Sequence, residues 1–577
     1  MGSLLHISAD QTVRQVADAC PACAELLQRW PGARRHDGRW SLQQLAPFAR
    51  QAGVDETDFL EQLSNAAAVP LRAGSKPGRR AHSPLPLIFT ALIAGVGLGT
   101  AFGVGLLWRI GMGGSFNIVP GASVHVHGLA QLWGWMTLFI FAVATHLLRQ
   151  NTTRPAPRWL EWTAAALILV GLFAFFAGLN DRVRAIVPRI DVVGSSILLA
   201  ASVLFGVSVA WSLSGAANNQ RRHGLLALVG WLWVWAGVDL WLRFKYADQT
   251  VLPDSARTLL IVLPVLGLAT NAIYGFGVRL IPGLLNIGQL RQRWFAPALI
   301  MHNVGLCLFL VPNWICGVAG AALMLAGAIC YVIGMDAFRC KPSRPIYGID
   351  VRGHVLIRVG FFWLVCGLTM VLMQQLRPQW PHAFAGAWRH ALTVGFITTM
   401  ILGVGYRIIP VFIRQPLASA RLMLVSAALI IVGNAGRVTL ELLTIGGWTW
   451  SYRAMGFTGI LELAALILFA FNLAATARNR RRMYDVGKPL TSNTRVQEAI
   501  NVHPEFQERL QDLGITMFDS APFVAPSMTL GALALASGMT PRQLVDALDE
   551  KSHPSASGPN QSFDADPFVE EAHHAAN

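Results

Sequence analysis

Long apolar stretches joined by short polar connections dominate the chain between residues 85 and 476. A bilayer span needs about 20 apolar residues in helical form, because only a helix satisfies every backbone polar group within its own segment. At that length the pattern predicts twelve membrane helices: 85–108, 123–148, 159–180, 190–214, 223–243, 257–285, 294–312, 314–337, 353–376, 387–413, 420–444 and 455–476. Only Pro312-Asn313 parts the seventh from the eighth. Outside this region the periodicity becomes that of short amphipathic helices. The predicted organisation is a helical module at 1–70, a basic linker at 71–84, the membrane domain at 85–476, a second linker at 477–490, a second module at 491–550 and a disordered tail at 551–577. The first 84 residues hold no long apolar run, so no cleaved leader is expected.

The two modules repeat each other. The stretch Val13 to Leu27 lies without a gap on Val496 to Leu510, Leu42 to Ala46 on Leu530 to Ala534, and Gly53 to Leu60 on Gly538 to Val545. Cys20-Pro-Ala-Cys23 is a C-x-x-C, a spacing compatible with redox or metal chemistry. Its second-copy counterparts are His503 and Phe506, which favours a helix cap followed by a buried position. Seven cysteines in all, mostly scattered singly through apolar stretches, imply no disulfide framework.

Composition agrees with a membrane protein. Hydrophobic residues make up 54% and charged residues 13%, with a mean hydropathy of +0.46, whereas soluble domains carry about 25% charged residues. Lys and Arg exceed Asp and Glu by 46 to 31. Much of the surplus falls in alternate connections: Arg72/Lys76/Arg79/Arg80, Arg149/Arg154/Arg158, Arg221/Arg222, Arg291/Arg293, Arg339/Lys341/Arg344/Arg352, Arg414 and Arg478/Arg480/Arg481/Arg482. Arg182/Arg184/Arg189 is the exception on the opposite side. The bias places both termini in the cytoplasm, with the chain multi-pass in a bacterial inner membrane, and explains the charge without nucleic acid.

Ionisable groups inside spans are costly and therefore functional candidates. His125-Val-His127-Gly128 with Gln131, Trp133, Gly134 and Trp135 opens the second span, and Trp388-Arg-His390 opens the tenth. Both spans are expected to run from outside to inside, which sets His127 and His390 at matching depth, as an axial pair from neighbouring helices requires. His125 points about 200° from His127. It is a candidate for a second haem, for copper or for a hydrogen bond. Neutral imidazole suits iron and copper, so haem b is expected, with copper as a further candidate, and Gly128 and Gly134 make room for a flat macrocycle.

Gly275-Phe-Gly277-Val-Arg279-Leu-Ile-Pro282 recurs as Gly403-Val-Gly405-Tyr-Arg407-Ile-Ile-Pro410. Arg407 lies about 25 Å along a helix from His390, beyond the reach of one haem. Arg279 and Arg407 are read as snorkelling anchors at proline-broken inner helix ends and stay second-rank candidates. Against the plan of haem-copper oxidase main subunits, which this topology resembles, Asn271 and Tyr274 of helix six stand where a copper histidine would be sought, and helix seven offers only His302. Arg437 with Glu441, and Asp239 with Arg243, are one turn apart and expected to pair. Glu462 has no sequence-local partner; it either relays protons or pairs across helices.

The relation among helices two, six and ten points to three four-helix blocks in an all-α integral membrane protein, a plan that resembles the main subunit of haem-copper oxidases. As a whole the motif set resembles the NnrS family of haem- and copper-containing membrane proteins, on His125-x-His127 with Gly134-Trp135, Gly277-Val-Arg279-Leu-Ile-Pro282, and His390-Ala-Leu-Thr393-Val-Gly395 with Met400. This chain has His127-Gly128 where that family commonly has His-Glu. The terminal modules resemble the N-terminal domain of iron-centre repair proteins, with Arg34 to Gly38 and Thr516 to Asp519 in place of paired cysteines. The NnrS resemblance implies nitric oxide as ligand, a role in denitrification, and a haem-dependent oxidoreductase resembling nitric oxide reductase, fed by quinol or a periplasmic carrier. The competing expectations are a haem-based sensor or metal-handling protein signalling through its modules, and a polytopic transporter.

Overall fold

The structure is a computed structural model. It describes residues 84–479 except 151, 153, 215–218, 248, 250, 286–291, 339–352 and 413–416, together with parts of 490–549 and scattered positions between 13 and 63. The chain divides into two compact units, Met1–His82 and Ser83–Asn577.

In the second unit no strand forms among the described residues. Its long helices are α1 (Leu85–Gly113), α2 (Gly121–Arg149), α3 (Arg158–Ala177), α4 (Ile190–Leu213), α5 (Gly224–Lys245), α6 (Asp254–Val278), α7 (Gln292–Phe309), α8 (Trp314–Gly334), α9 (His354–Leu376), α10 (His382–Pro410), α11 (Ala420–Ile445) and α12 (Trp450–Arg478). All but α7 are long and apolar enough to cross a membrane, so eleven spans stand among the described residues where the sequence predicts twelve. The seventh is present as a helix, but Gln292, Arg293, His302 and Asn303 dilute its apolar character. The chain is a multi-pass membrane protein. Large apolar side chains cover its outside, among them Phe173, Ile315 and Phe471. Trp108, Trp159, Trp211, Trp241, Trp314 and Trp450 stand exposed near helix ends, as interfacial anchors do.

Neighbours in sequence pack as neighbours in space, and α12 returns to α1. Three helices lie inside the rest. The apolar windows of α2, α6 and α10 are 83%, 78% and 78% buried, against 39–56% for the other spans. These three meet one another, with Trp135 Nε1 of α2 donating to Thr398 Oγ1 of α10 at 3.2 Å. Each contains a π-helical stretch, Ala130–Thr137, Leu263–Ala269 and Ala391–Thr398, and α1 has another at Ala94–Ala101. A threonine within one residue of the end of each stretch donates to the carbonyl five residues back: Thr137 to Leu132, Thr270 to Val265, Thr398 to Thr393 and Thr100 to Gly95, at 2.7–3.0 Å. The side chain thus holds the widened turn in place. Pro282 and Pro410 do not break their helices; the backbone continues past them to Leu285 and Phe412.

The terminal modules have separate cores. In the first unit Val13, Val16, Cys23, Leu27, Leu45, Phe59 and Leu63 are buried together. At the C-terminal end the aligned positions Val496, Ala499, Phe506, Leu510, Leu533, Leu544 and Leu548 do the same. Cys23 is a core residue whose thiol donates to Leu63 O at 3.3 Å. Cys20, His503, Arg34 to Gly38, Thr516 to Asp519, most of the two basic linkers and the tail from Lys551 lie outside the described residues.

Candidate functional site

The site is built on the contact between α1 and α2. Gly95, Gly99 and Gly103 form a stripe at four-residue spacing along α1, and a Cβ on each would collide with Trp135, Gln131 and the His127 ring, respectively. Without a hydrophobic drive between helices in lipid, such small-residue stripes are what let backbones approach. The close pass brings the Gly99 carbonyl, inside the π stretch of α1, to 3.0 Å from His127 Nδ1. A carbonyl only accepts, so Nδ1 carries the proton and the neutral ring keeps its lone pair on Nε2. Gln131 Nε2 donates to Thr100 Oγ1 at 2.8 Å one turn further on.

His390 reaches the same state by another route. It is the last residue before the π stretch of α10, and its Nδ1 lies 3.0 Å from Gly386 O in the preceding turn. Glu441 Oε2 of α11 is 3.6 Å from the same nitrogen and 3.4 Å from Arg437 Nη2, the pair predicted from their spacing. Gly386 is required here, because a Cβ would occupy the space of the Glu441 carboxylate. His127 and His390 are near enough to act on each other electrostatically, and Arg437 acts on both. Neither Nε2 has a hydrogen-bond partner among the described residues.

Around these rings lies an unusual concentration of buried polar atoms lacking hydrogen bonds. It includes both amide atoms of Asn434, Nε and Nη1 of Arg437, Oε2 of Glu441, Oε1 of Glu462, Nε of Arg389 and Nε1 of Trp388. Asn434, Arg437 and Glu441 stand on one face of α11, and Glu462 of α12 packs its Cγ against Gly433. Arg389 Nη2 reaches Thr258 Oγ1 of α6 at 2.7 Å. Most buried polar atoms in folded proteins are bonded, so a cluster like this marks a place for a water, ion or ligand. Glu462, without a partner in sequence, faces the field of Arg437 and Glu441.

The expectation that three imidazoles meet is not fulfilled. His125 turns the other way and bonds through Nε2 to Arg243, as the angle between positions 125 and 127 implies. Arg243 also lies 3.4 Å from Asp239 and 3.8 Å from Asp191, and Ser195 donates to Asp239 at 2.5 Å. His302 is fully buried in another place. Its Nε2 donates to Leu266 O at 2.7 Å, and its ring meets Tyr274 edge-on with centroids 5.4 Å apart. Asn271 there pairs its amide with Asn303. Trp133 stacks on Trp235 at 4.1 Å in the core. A Cβ on Gly128 would meet nothing. Arg407 Nη2 donates to Leu284 O at 3.3 Å, tying α10 to the end of the α6 helix, while the Arg279 side chain lies outside the described residues.

With this geometry in view, the comparison with protein families is decisive. The family model described as NnrS protein matches residues 88–481, most of the chain. The chain belongs to the NnrS family. A search of curated proteins finds no match. NnrS membership is consistent with a nitric-oxide-related haem or metal protein of the membrane. The family segment takes in every residue of the cluster above, including Asn434 and the α1 glycines, which the sequence reading passed over. Two signals could have found the glycines and the π stretches, though not Asn434: the Gly95, Gly99, Gly103 spacing, and the shared Gly-x-x-Thr at 97–100, 134–137, 267–270 and 395–398.

Proposed function

We propose that His127 and His390 would hold an electron-carrying haem b between α2 and α10, and that this NnrS protein binds and reduces or otherwise detoxifies nitric oxide. The observation that carries the reading is the matched state of the two rings. Each fixes its tautomer through Nδ1 on a backbone carbonyl and presents an unengaged Nε2, the arrangement that metal-ligating histidines use. The surroundings fit the group: Arg389 and Arg437 offer unengaged guanidinium nitrogens that suit carboxylates of the haem periphery. When bound, the haem would supply one-electron transfer. The chain's own residues hold and orient the imidazoles, and Glu441 and Glu462 are the buried carboxylates that can hold or release a proton beside them.

Copper is left out of the proposal, because no group of three or more His, Cys, Asp or Glu forms a metal site among the described residues and His125 is engaged by Arg243. The basic connections favour an inner-membrane orientation with cytoplasmic termini, which puts the site in the outer half of the bilayer. Nitric oxide dissolves in lipid and reaches such a site directly; electrons would come from a quinol or a periplasmic carrier.

The test is colour. Purified protein should show a Soret band, and His127→Ala or His390→Ala should each lower haem per protein more than tenfold. A colourless, iron-free protein would overturn the reading in favour of transport. Haem without nitric oxide consumption by reduced vesicles would favour a sensor working through the terminal modules.

A further inference from the structure

We infer that the junction of α2, α6 and α10 is a dry binding site for a small uncharged diatomic gas, separate from the imidazole pair. A half-open cavity of about 80 Å³ lies between these helices. Phe139 and Val143 of α2, Ala272 and Phe276 of α6, and Met400 and Val404 of α10 line it, and no lining residue has a polar side chain. A water molecule occupies about 30 Å³ and stays in a cavity only with two to four polar partners, so this one is dry; apolar cavities of this kind accept xenon-sized guests.

The cavity has a structural cause. It opens where the π stretches of α2, α6 and α10 end, at Thr137, Ala269 and Thr398. Three widened turns meeting at one level put the side-chain ridges of the three inner helices out of step, and close packing fails below them. The hydrogen bond from Trp135 to Thr398 lies between the cavity and the imidazoles along α2 and at the cavity's near edge on α10, beside the lining residue Ile397. Phe139 is twelve residues past His127, or about 18 Å along α2, and Ile397 is seven past His390, or about 10 Å along α10. A gas dissolved in the bilayer would collect here, within reach of the imidazole pair. That the gas is nitric oxide rests on the function proposed above; that the cavity holds a gas does not.

Crystals of the full chain pressurised with xenon test the site. The expected result is an anomalous peak among Val143, Ala272 and Met400, with occupancy cut at least tenfold by Ala272→Leu and by Val143→Phe. Absence of the peak in the unmodified protein, persistence in both variants, or continuous density of a lipid or isoprenoid tail would overturn the inference. If either variant fails to fold, the map of the unmodified protein decides. Loss of the haem reading would show separately, as a missing iron signal between His127 and His390, whatever the xenon does.

Discussion

Two histidine regions of this protein start from similar material and end in different states. His127 and His302 each bond to a carbonyl inside the π stretch of a neighbouring helix, Gly99 O in one case and Leu266 O in the other. In the His302 region Asn271, Asn303 and Trp231 close on each other, while His302 Nδ1 and the Tyr274 hydroxyl are left without a hydrogen bond. Asn271 and Asn303 exchange amide hydrogen bonds at 3.1 and 2.9 Å, and Trp231 Nε1 donates to Asn303 at 2.7 Å. His302 is fully buried, and its Nε2 is the nitrogen used up. Around His127 and His390 the bonded nitrogen is Nδ1, the rings are only half-buried, and polar atoms on three helices are left over. The difference is one of degree: around His302 an amide network takes up most polar groups and two atoms stay open, whereas beside the two oriented imidazoles open atoms accumulate on three helices, a place prepared for a guest.

The sharpest way to break that contrast is to remove one ring from each side. His127→Ala and His390→Ala should each lose more than nine-tenths of bound haem, whereas His302→Ala should keep the Soret band and lose only stability. Equal haem loss in all three, measured as absorbance per protein, would show the regions to be one site.

Next in size is the ion pair. Glu441→Ala leaves Arg437 buried without its carboxylate, a change that costs about 3–5 kcal/mol when such a pair is nearly inaccessible. The expected outcome is a large fall in the thermal unfolding midpoint in detergent, with Glu441→Gln milder. An unchanged midpoint would mean that the guanidinium is already held by something else. On the other side, Asn303→Ala strands the Asn271 amide and the Trp231 N–H, which should cost about 1–3 kcal/mol while leaving haem content unchanged. Haem loss in that variant would place the amide network in the metal site after all.

Much of this was legible in the sequence. Apolar run lengths predict eleven of the long helices that qualify as spans, because in lipid a span must be apolar and helical at once. His127 and His390 stand out because ionisable groups are rare there. The 3.6-residue period also anticipates that His125 and His127 serve different neighbours; the expectation that all three converge ignored it. What the sequence concealed was long-range. Nothing local shows that Glu462 lies beside Gly433, that Asn434 on α11 faces Gly395 on α10, or that Trp133 leaves the site to stack on Trp235. The predicted span at 294–312 forms as the helix α7 but does not qualify as a span, because it carries the polar residues of the His302 region, whose partners sit on α5 and α6.

The smallest effect tests the wall between the imidazoles and the cavity. Thr398 has two roles through one hydroxyl: it donates to Thr393 O at 3.0 Å and accepts from Trp135 Nε1 at 3.2 Å. Thr398→Val keeps the shape and β-branching and removes both bonds. Interhelical hydrogen bonds inside membranes are worth only about 0.6 kcal/mol on average, since the separated helices find other partners. The unfolding midpoint should therefore move little. The informative change is local: the Trp135 indole, 2% exposed and wedged against Gly95, loses its anchor on α10 while its packing stays. Tryptophan fluorescence and the xenon occupancy of the cavity should change while haem content does not. If haem content falls as well, the bond belongs to the imidazole site and not to the wall beneath it.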